Sequence, residues 1–445
     1  MSKLLPVFFG TDVEAPKAPP IPYAARVLLI ATIASFYVAS AFESPVTALM
    51  LSLKWVPLGA LGIVAAYQLH SRPAPHFPMM MAVPMVALLL IAIVTSWTST
   101  DVSRAALTVF TVTMTIVTGY FVSALIVATN SRRAFFELLA TAGRVVIGIT
   151  CLFALAGLNL GRGAGLSAWS DNPNTLAAIL APLLVVFLAG CIERRPGWAF
   201  WHGTFFVIGF YLVWATNSRA STIWILLSLG ALWLYRRGPG LAVLLAMVSL
   251  IVVIGWWFPI KEYVVETLGL NWSMRDNGIS PLSGREEVWR IGWDLFQKRP
   301  LAGYGLGTSP ELLKIEAWRF VRHQGLHFHS SYIMMMVEIG IFGLIAAMTG
   351  IVFTLIRGMA HAGRTRLLPR ENWPLAALPF ALIAGALGHA LFESWLIAAG
   401  NPNMMLFWSW VWMVHHQAQV KIRKVIVREV PDTVTMPAGA ALPAR

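Results

Sequence analysis

Apolar residues in this chain fall in long runs, separated by short polar stretches that carry most of the charge. A helix needs about 20 mostly apolar residues to cross bilayer hydrocarbon, where backbone groups must bond within their own segment. The runs predict helices near 24–42, 46–69, 78–97, 104–128, 134–157, 174–191, 198–216, 220–235, 240–259, 330–356, 374–393 and 403–416. The fold class expected is an all-α polytopic membrane protein of about twelve transmembrane helices. One polar segment is far longer than the rest, and it predicts a long, partly helical loop over 261–329, between helices nine and ten. The order is an arm over 1–23, helices one to nine over 24–260, the loop, helices ten to twelve over 330–416, and a basic tail over 417–445.

Composition supports the membrane class. Hydrophobic residues make up 58% of the chain and charged residues 12%, against about 25% charged in soluble domains. The net charge of +13 would suggest nucleic acid in a soluble protein. Here the basic residues sit mostly in short loops, with no basic stripe interleaved with aromatics, so nucleic acid is not an expected partner.

The same residues give orientation, because Lys and Arg concentrate on the cytoplasmic side. With the N-terminus inside, the inward loops hold Arg72, Arg132, Arg133, Arg194, Arg195, Arg236, Arg237, Arg357, Arg364, Arg366 and Arg370, and the tail adds Lys421, Arg423, Lys424 and Arg428. The outward loops before 261 hold only Arg104, Arg162 and Arg219. Both termini are expected in the cytoplasm and loop 261–329 outside, where no cytoplasmic ATP or nucleotide sugar reaches it. The N-terminus lacks a signal-peptide pattern. Cys151 and Cys191 make neither a disulfide framework nor a zinc site.

The loop carries most of the candidate chemistry. Ser283 and Glu286 form an S-x-x-E capping box, which satisfies amides at a helix start. Trp289, Gly292, Trp293 and Phe296 then recur at helical spacing and predict one apolar face. Glu286 and Arg290 are four apart and can pair. Arg285 lies in the first turn, where amides and the helix dipole favour an anion and a guanidinium adds donors suited to phosphate. It could equally pair with a loop carboxylate. Gly303, Gly305 and Gly307 in LAGYGLGT lack the strand and GK[ST] of a phosphate loop, so a tight turn is expected there.

His323, His327 and His329 precede helix ten without HExxH spacing or a nearby carboxylate, so no metal is expected. A histidine at a membrane edge suits a general base that takes a proton from a hydroxyl. Arg219, at the outward turn between helices seven and eight, is either snorkelling or part of an anion clamp. Lys54, Arg144, Glu338, His389 and Glu393 fall inside predicted spans, where ionisable residues point to function or to pairing. His389 and Glu393, four apart, are expected to pair. Asp171, Asn172 and Asn174 could bind sugar hydroxyls or cap helix six.

Ser218-Arg219-Ala220, Gly284-Arg285 with Trp289 and the downstream RPLAGYG, and His329-Ser330-Ser331-Tyr332 before Glu338 and Gly340 together resemble the bacterial O-antigen ligase and polysaccharide polymerase superfamily. The resemblance implies a membrane glycosyltransferase of the GT-C type in the bacterial inner membrane, with its site at the periplasmic face. It implies transfer of a glycan from undecaprenyl diphosphate to a sugar hydroxyl, with inversion and without a metal or other cofactor. The acceptor would be another lipid-linked glycan or lipid A–core, with membrane lipids around the protein and a chain-length regulator as a possible partner. By motif, Arg219 and Arg285 map to the donor diphosphate and His329 to the base, with His327, Arg290, Glu338 and Asn174 in support. Ser330 stands where asparagine often follows the family's histidine, and His327 leaves the base open between two residues. A transporter or flippase of lipid-linked saccharides fits the span count equally well, but it leaves the capped helix and the Arg–His set unexplained.

Overall fold

A computed structural model describes residues 20–73, 75–99, 101–161, 165–192, 198–237, 285–320, 327–365 and 373–419. The predicted ninth helix, Ser283, His323 and the basic tail lie outside them. The described elements are helical, apart from one isolated bridge between Ala41 and Ser170. In order they are α1 (Tyr23–Val38), α2 (Pro45–Leu53), α3 (Trp55–His70), α4 (Met79–Trp97), α5 (Val102–Ala128), α6 (Arg132–Leu155) and α7 (Pro173–Ile192). Then come α8 (Trp198–Ala215), α9 (Arg219–Arg237), α10 (Arg285–Lys298), α11 (Ser309–Ile315), a 3-10 turn (Ala317–Arg319), α12 (Ser331–Thr365), α13 (Trp373–His389) and α14 (Pro402–Gln417).

Each predicted span that falls on described residues coincides with a helix or a helix pair. Among the described residues six stretches are long and apolar enough to cross a bilayer, and four shorter apolar helices accompany them. Large apolar side chains such as Ile63, Val83, Leu90, Phe110 and Leu152 stand exposed on the outside. A water-facing surface would not carry so many; lipid contact accounts for them. The chain is a membrane protein.

The last helix differs from an ordinary span. Every residue of α14 is buried, including Trp408, Trp410 and Trp412. A helix covered on all sides becomes a core element, and α14 packs along α5, α12 and α13. Elsewhere α13 lies along α9, α12 along α4, and α3 along α5.

Two predicted spans are interrupted. The second breaks at Lys54 into α2 and α3, because Pro57 lacks an amide hydrogen and its ring crowds the Leu53 carbonyl four residues back. The tenth breaks at Gly340, whose φ of 66° lies in the left-handed region. There the glycine loop fills the gap. The amides of Tyr304 and Gly305 donate to the Val337 and Glu338 carbonyls at 3.0 and 2.8 Å, and the Ile341 amide donates to Pro300 at 2.8 Å. Carbonyls freed by the break are thus satisfied by RPLAGYG, which is a clasp for α12 as well as a turn.

The loop helix α10 lies against α12. Its buried face is Val288, Ile291 and Leu295, with Gly292 close to Phe328 and Ile333. Of the expected apolar face, Gly292 and Phe296 pack inward, while Trp293 is 50% exposed and is the member to be corrected. The i, i+3, i+7 stripe through Val288 wins because smaller aliphatic side chains allow closer helix approach.

Candidate active site

A cavity of about 630 Å³ opens at one end of the bundle, within the size range of ligand pockets. Its walls come from the end of α1, the α2–α3 junction, the starts of α5, α7, α12 and α14, and the segment between α13 and α14. These are the ends that the loop charges predict to face outward. His327, His329, Glu338, Asn174, Lys54, Arg104, His389 and Glu393 are all on its walls.

Glu393 is the centre of the ionic network. Its Oε1 accepts from Arg285 Nη2 at 2.8 Å, and its Oε2 lies 3.5 Å from His329 Nδ1. Arg285 and Glu393 each expose under a fifth of their side chain, so solvent screens this pair weakly. Burial alone would raise the Glu393 carboxyl; the Arg285 guanidinium and then His329 overcome that and hold it at about 2. The expected pair of Glu393 with His389 gives way to this arrangement. His389 instead accepts from Trp395 Nε1 at 2.7 Å through Nδ1, and its Nε2 lies 3.4 Å from Ser221 Oγ. Glu393 stands beyond the end of α13, so the i, i+4 helical geometry that would have joined them is absent.

The residues after His329 hold it against Glu393. The Ser330 amide donates to Ser394 Oγ at 3.0 Å. Ser331 Oγ donates to the Glu393 carbonyl at 2.7 Å and accepts from the Trp395 and Leu396 amides at 2.9 and 3.2 Å. Tyr332 donates to the Leu387 carbonyl at 2.9 Å. On the other side Trp289 Nε1 donates to the Phe328 carbonyl at 2.9 Å. His329 itself has φ of 50°, a strained conformation for a residue with a side chain, of the kind that clusters at functional sites. The GR-x-x-x-W and H-S-S-Y motifs therefore meet at one point: Arg285 and His329 share a carboxylate, and Trp289 and Ser331 fix the backbone around them.

His327 faces the cavity, its ring centroid 6.4 Å from that of His329. The walls around it lower its pKa, the charge on His329 adds to this, and Glu393 opposes it. Among the described residues no three His, Cys, Asp or Glu side chains gather as a metal-ligand set.

The other candidates separate. Glu338 Oε1 accepts from the Ser309 amide and hydroxyl at 3.1 and 2.5 Å, so it anchors the start of α11 as well as lining the cavity. Asn172 caps α7 by accepting from the Thr175 amide at 2.9 Å, and Asn174 is on the wall. Arg290 is exposed on α10 and does not line the cavity. Arg219 opens α9 and is not on the wall either; its neighbours Ser218 and Ser221 reach the wall through His389. The Glu286 side chain lies outside the described set. Sequence reasoning overlooked Ser394, Trp395 and Asn401 between the last two helices. Their signal was the polar FES and GNPN interruptions of an apolar stretch.

Residues 204–348 match the family model described as O-antigen ligase, a segment that holds the SRA, GR-x-x-x-W and HSSY motifs. No curated protein matches the chain. This match over part of the chain supports the resemblance to the O-antigen ligase and polysaccharide polymerase superfamily.

Proposed function

We propose that the protein is a metal-independent, inverting glycosyltransferase that takes a glycan from undecaprenyl diphosphate at the periplasmic face of the inner membrane. The observation that carries this is the placement of His329 and Arg285 on the two oxygens of Glu393 at a cavity wall. A carboxylate beside Nδ1 orients an imidazole and favours the tautomer whose Nε2 can take a proton from a hydroxyl. His329 Nε2 takes the proton of the acceptor hydroxyl, whose oxygen bonds to the anomeric carbon as the bond to the diphosphate oxygen breaks. Undecaprenyl diphosphate leaves with the electron pair. Arg285, with Arg219 as the family's second arginine, stabilises its charge. Donor diphosphate competes with Glu393 for Arg285, and Glu393 then remains on His329.

His329 is favoured over His327 as the base because the carboxylate contact falls on it. The acceptor is a second lipid-linked glycan or lipid A–core, and both termini lie in the cytoplasm. Reconstitution with an undecaprenyl-diphosphate oligosaccharide and each acceptor, scored for chain extension against ligation, tests the reading. Product with wild type and none with His329→Ala is expected. Equal turnover by both proteins removes His329 as the base, and no product from wild type with either acceptor removes the proposal.

A further inference from the structure

Lys54 occupies the break between α2 and α3, 5% exposed. Its Nζ donates to the Gly400 carbonyl at 3.0 Å and lies 5.3 and 5.4 Å from the ring centroids of Phe36 and Trp55. The position is built for this. Gly400 has φ of 85°, in the region that favours glycine, and a Cβ there would stand 2.5 Å from Nζ, so a side chain at this position would push the ammonium aside.

These partners hold a cation without neutralising it. Aromatic faces attract the charge through their quadrupoles, and the carbonyl occupies one of three N–H donors. Among the described residues no carboxylate pairs with Lys54. A desolvated charge without a counter-charge is unfavourable, and a fold retains one where a ligand supplies the anion. Lys54 lines the cavity, yet no hydrogen bond or ion pair joins it to Arg285, Glu393 or His329. It is a second charged station in the same chamber.

A second observation comes from the wall of the same cavity. Asn403, three residues after Gly400 and 2% exposed, also lines the cavity, and its Oδ1 has no hydrogen-bond partner. A buried amide oxygen without a donor is costly, and a sugar hydroxyl would satisfy it.

We infer that Lys54 and Asn403 form an acceptor subsite for an acidic saccharide, with its carboxylate or phosphate on Lys54 and a hydroxyl on Asn403. The inference rests on the transferase reading for the word acceptor, but binding itself is measured without turnover. The competing source of the same chemistry is the donor's diphosphate.

The test is calorimetric titration of the full chain in nanodiscs with three probes: a disaccharide ending in glucuronate, its glucose counterpart, and inorganic diphosphate. Wild type is expected to bind the glucuronate probe about tenfold tighter than the glucose probe, as one added charge contact allows. Lys54→Met should erase that preference and leave diphosphate affinity unchanged. Lys54→Arg should keep part of it, and Lys54→Gln replaces the Met variant if that one fails to fold. Asn403→Ala should weaken both disaccharides alike. His329→Ala should keep the preference, so loss of the transferase reading would not disturb this result. Equal affinity of wild type for both disaccharides, no binding of either, or an unchanged preference in the Lys54 variants overturns the subsite. Weakened diphosphate binding in Lys54→Met assigns Lys54 to the donor instead, and overturns it equally.

Discussion

Arg285 Nη2 and Glu393 Oε1 are 2.8 Å apart across 108 residues of chain. This contact ties the first turn of the loop helix to the segment between the last two helices. The other carboxylate oxygen faces His329, so Glu393 touches both the residue expected to hold the donor and the residue expected to act as base. Its loss should therefore be felt in catalysis more than in binding.

Glu393→Gln keeps the shape and removes the charge. General-base assistance is worth about 10²–10⁴-fold, and a neutral amide orients imidazole less well. The expected result is a kcat lower by about tenfold to a hundredfold with acceptor KM within a few-fold of wild type. Steady-state transfer in proteoliposomes measures it. A rise in KM alone would mean that Glu393 serves binding and not orientation of His329.

The two histidines should part in the same assay. His329→Ala is expected to reduce transfer by about 10²-fold or more, and His327→Ala by less than about tenfold. The carboxylate contact belongs to the former, while the latter only lines the cavity. Protease protection of the loops in both variants checks that topology is intact.

Helix placement was legible in the sequence because a bilayer demands long apolar runs, and their ends agree with helix ends to within a few residues at α4, α7 and α9. The motif residues Arg285 and His329 were legible as candidates. What joins them was not. Glu393 lies 64 residues after His329 in sequence, and helical periodicity pointed it towards His389 instead. Only the end of α13 at His389 turns the carboxylate away. Lys54 was visible as a charge in a span, but its aromatic and carbonyl partners come from Phe36 and Gly400, far apart in the chain. Side-chain convergence between distant loops leaves no periodic trace.

The Arg285–Glu393 contact also predicts an acid response. The Glu393 carboxyl sits at about 2 in the folded protein, below its ordinary value near 4.3. A depressed carboxyl stabilises the fold fully above its unfolded pKa, and that contribution is lost as pH falls through the folded value. Its size is on the order of 3 kcal/mol. Thermal unfolding in detergent should show a gap between wild type and Glu393→Gln that is constant from neutral pH to about 5 and narrows below about 4. A gap that widens on acidification would reverse the sign and remove the ion pair as its cause.

Ser331→Ala should loosen the mount of the base without touching substrate. The hydroxyl makes contacts with the Glu393 carbonyl and the Trp395 and Leu396 amides, and leaving such buried groups unpaired costs about 1–3 kcal/mol. A lower unfolding midpoint together with a reduced kcat is expected. Ser331→Thr retains the oxygen and should recover part of both if the site admits the extra methyl. A stable but inactive Ser331→Ala would point instead to direct contact with the reacting sugar.

The clasp at Gly340 gives the sharpest structural test. A Cβ there would stand 2.2 Å from the Leu301 carbonyl oxygen, at a backbone φ of 66°. Gly340→Ala must therefore either shift the RPLAGYG turn or straighten α12, and a non-glycine residue held in that region costs about 1–3 kcal/mol before the clash is counted. Straightening would return the Val337 and Glu338 carbonyls to the helix and release the Tyr304 and Gly305 amides that now bond to them. Because Glu338 also holds the start of α11, the loop between α10 and α11 should open as a unit. Hydrogen exchange over residues 300–316 should rise well above wild type, with exchange in α5 and α14 unchanged. Uniform protection across 300–316 in Gly340→Ala would show that the break in α12 does not hold the loop. The positioning of His329 would then have to rest on the Ser331 and Trp289 contacts alone.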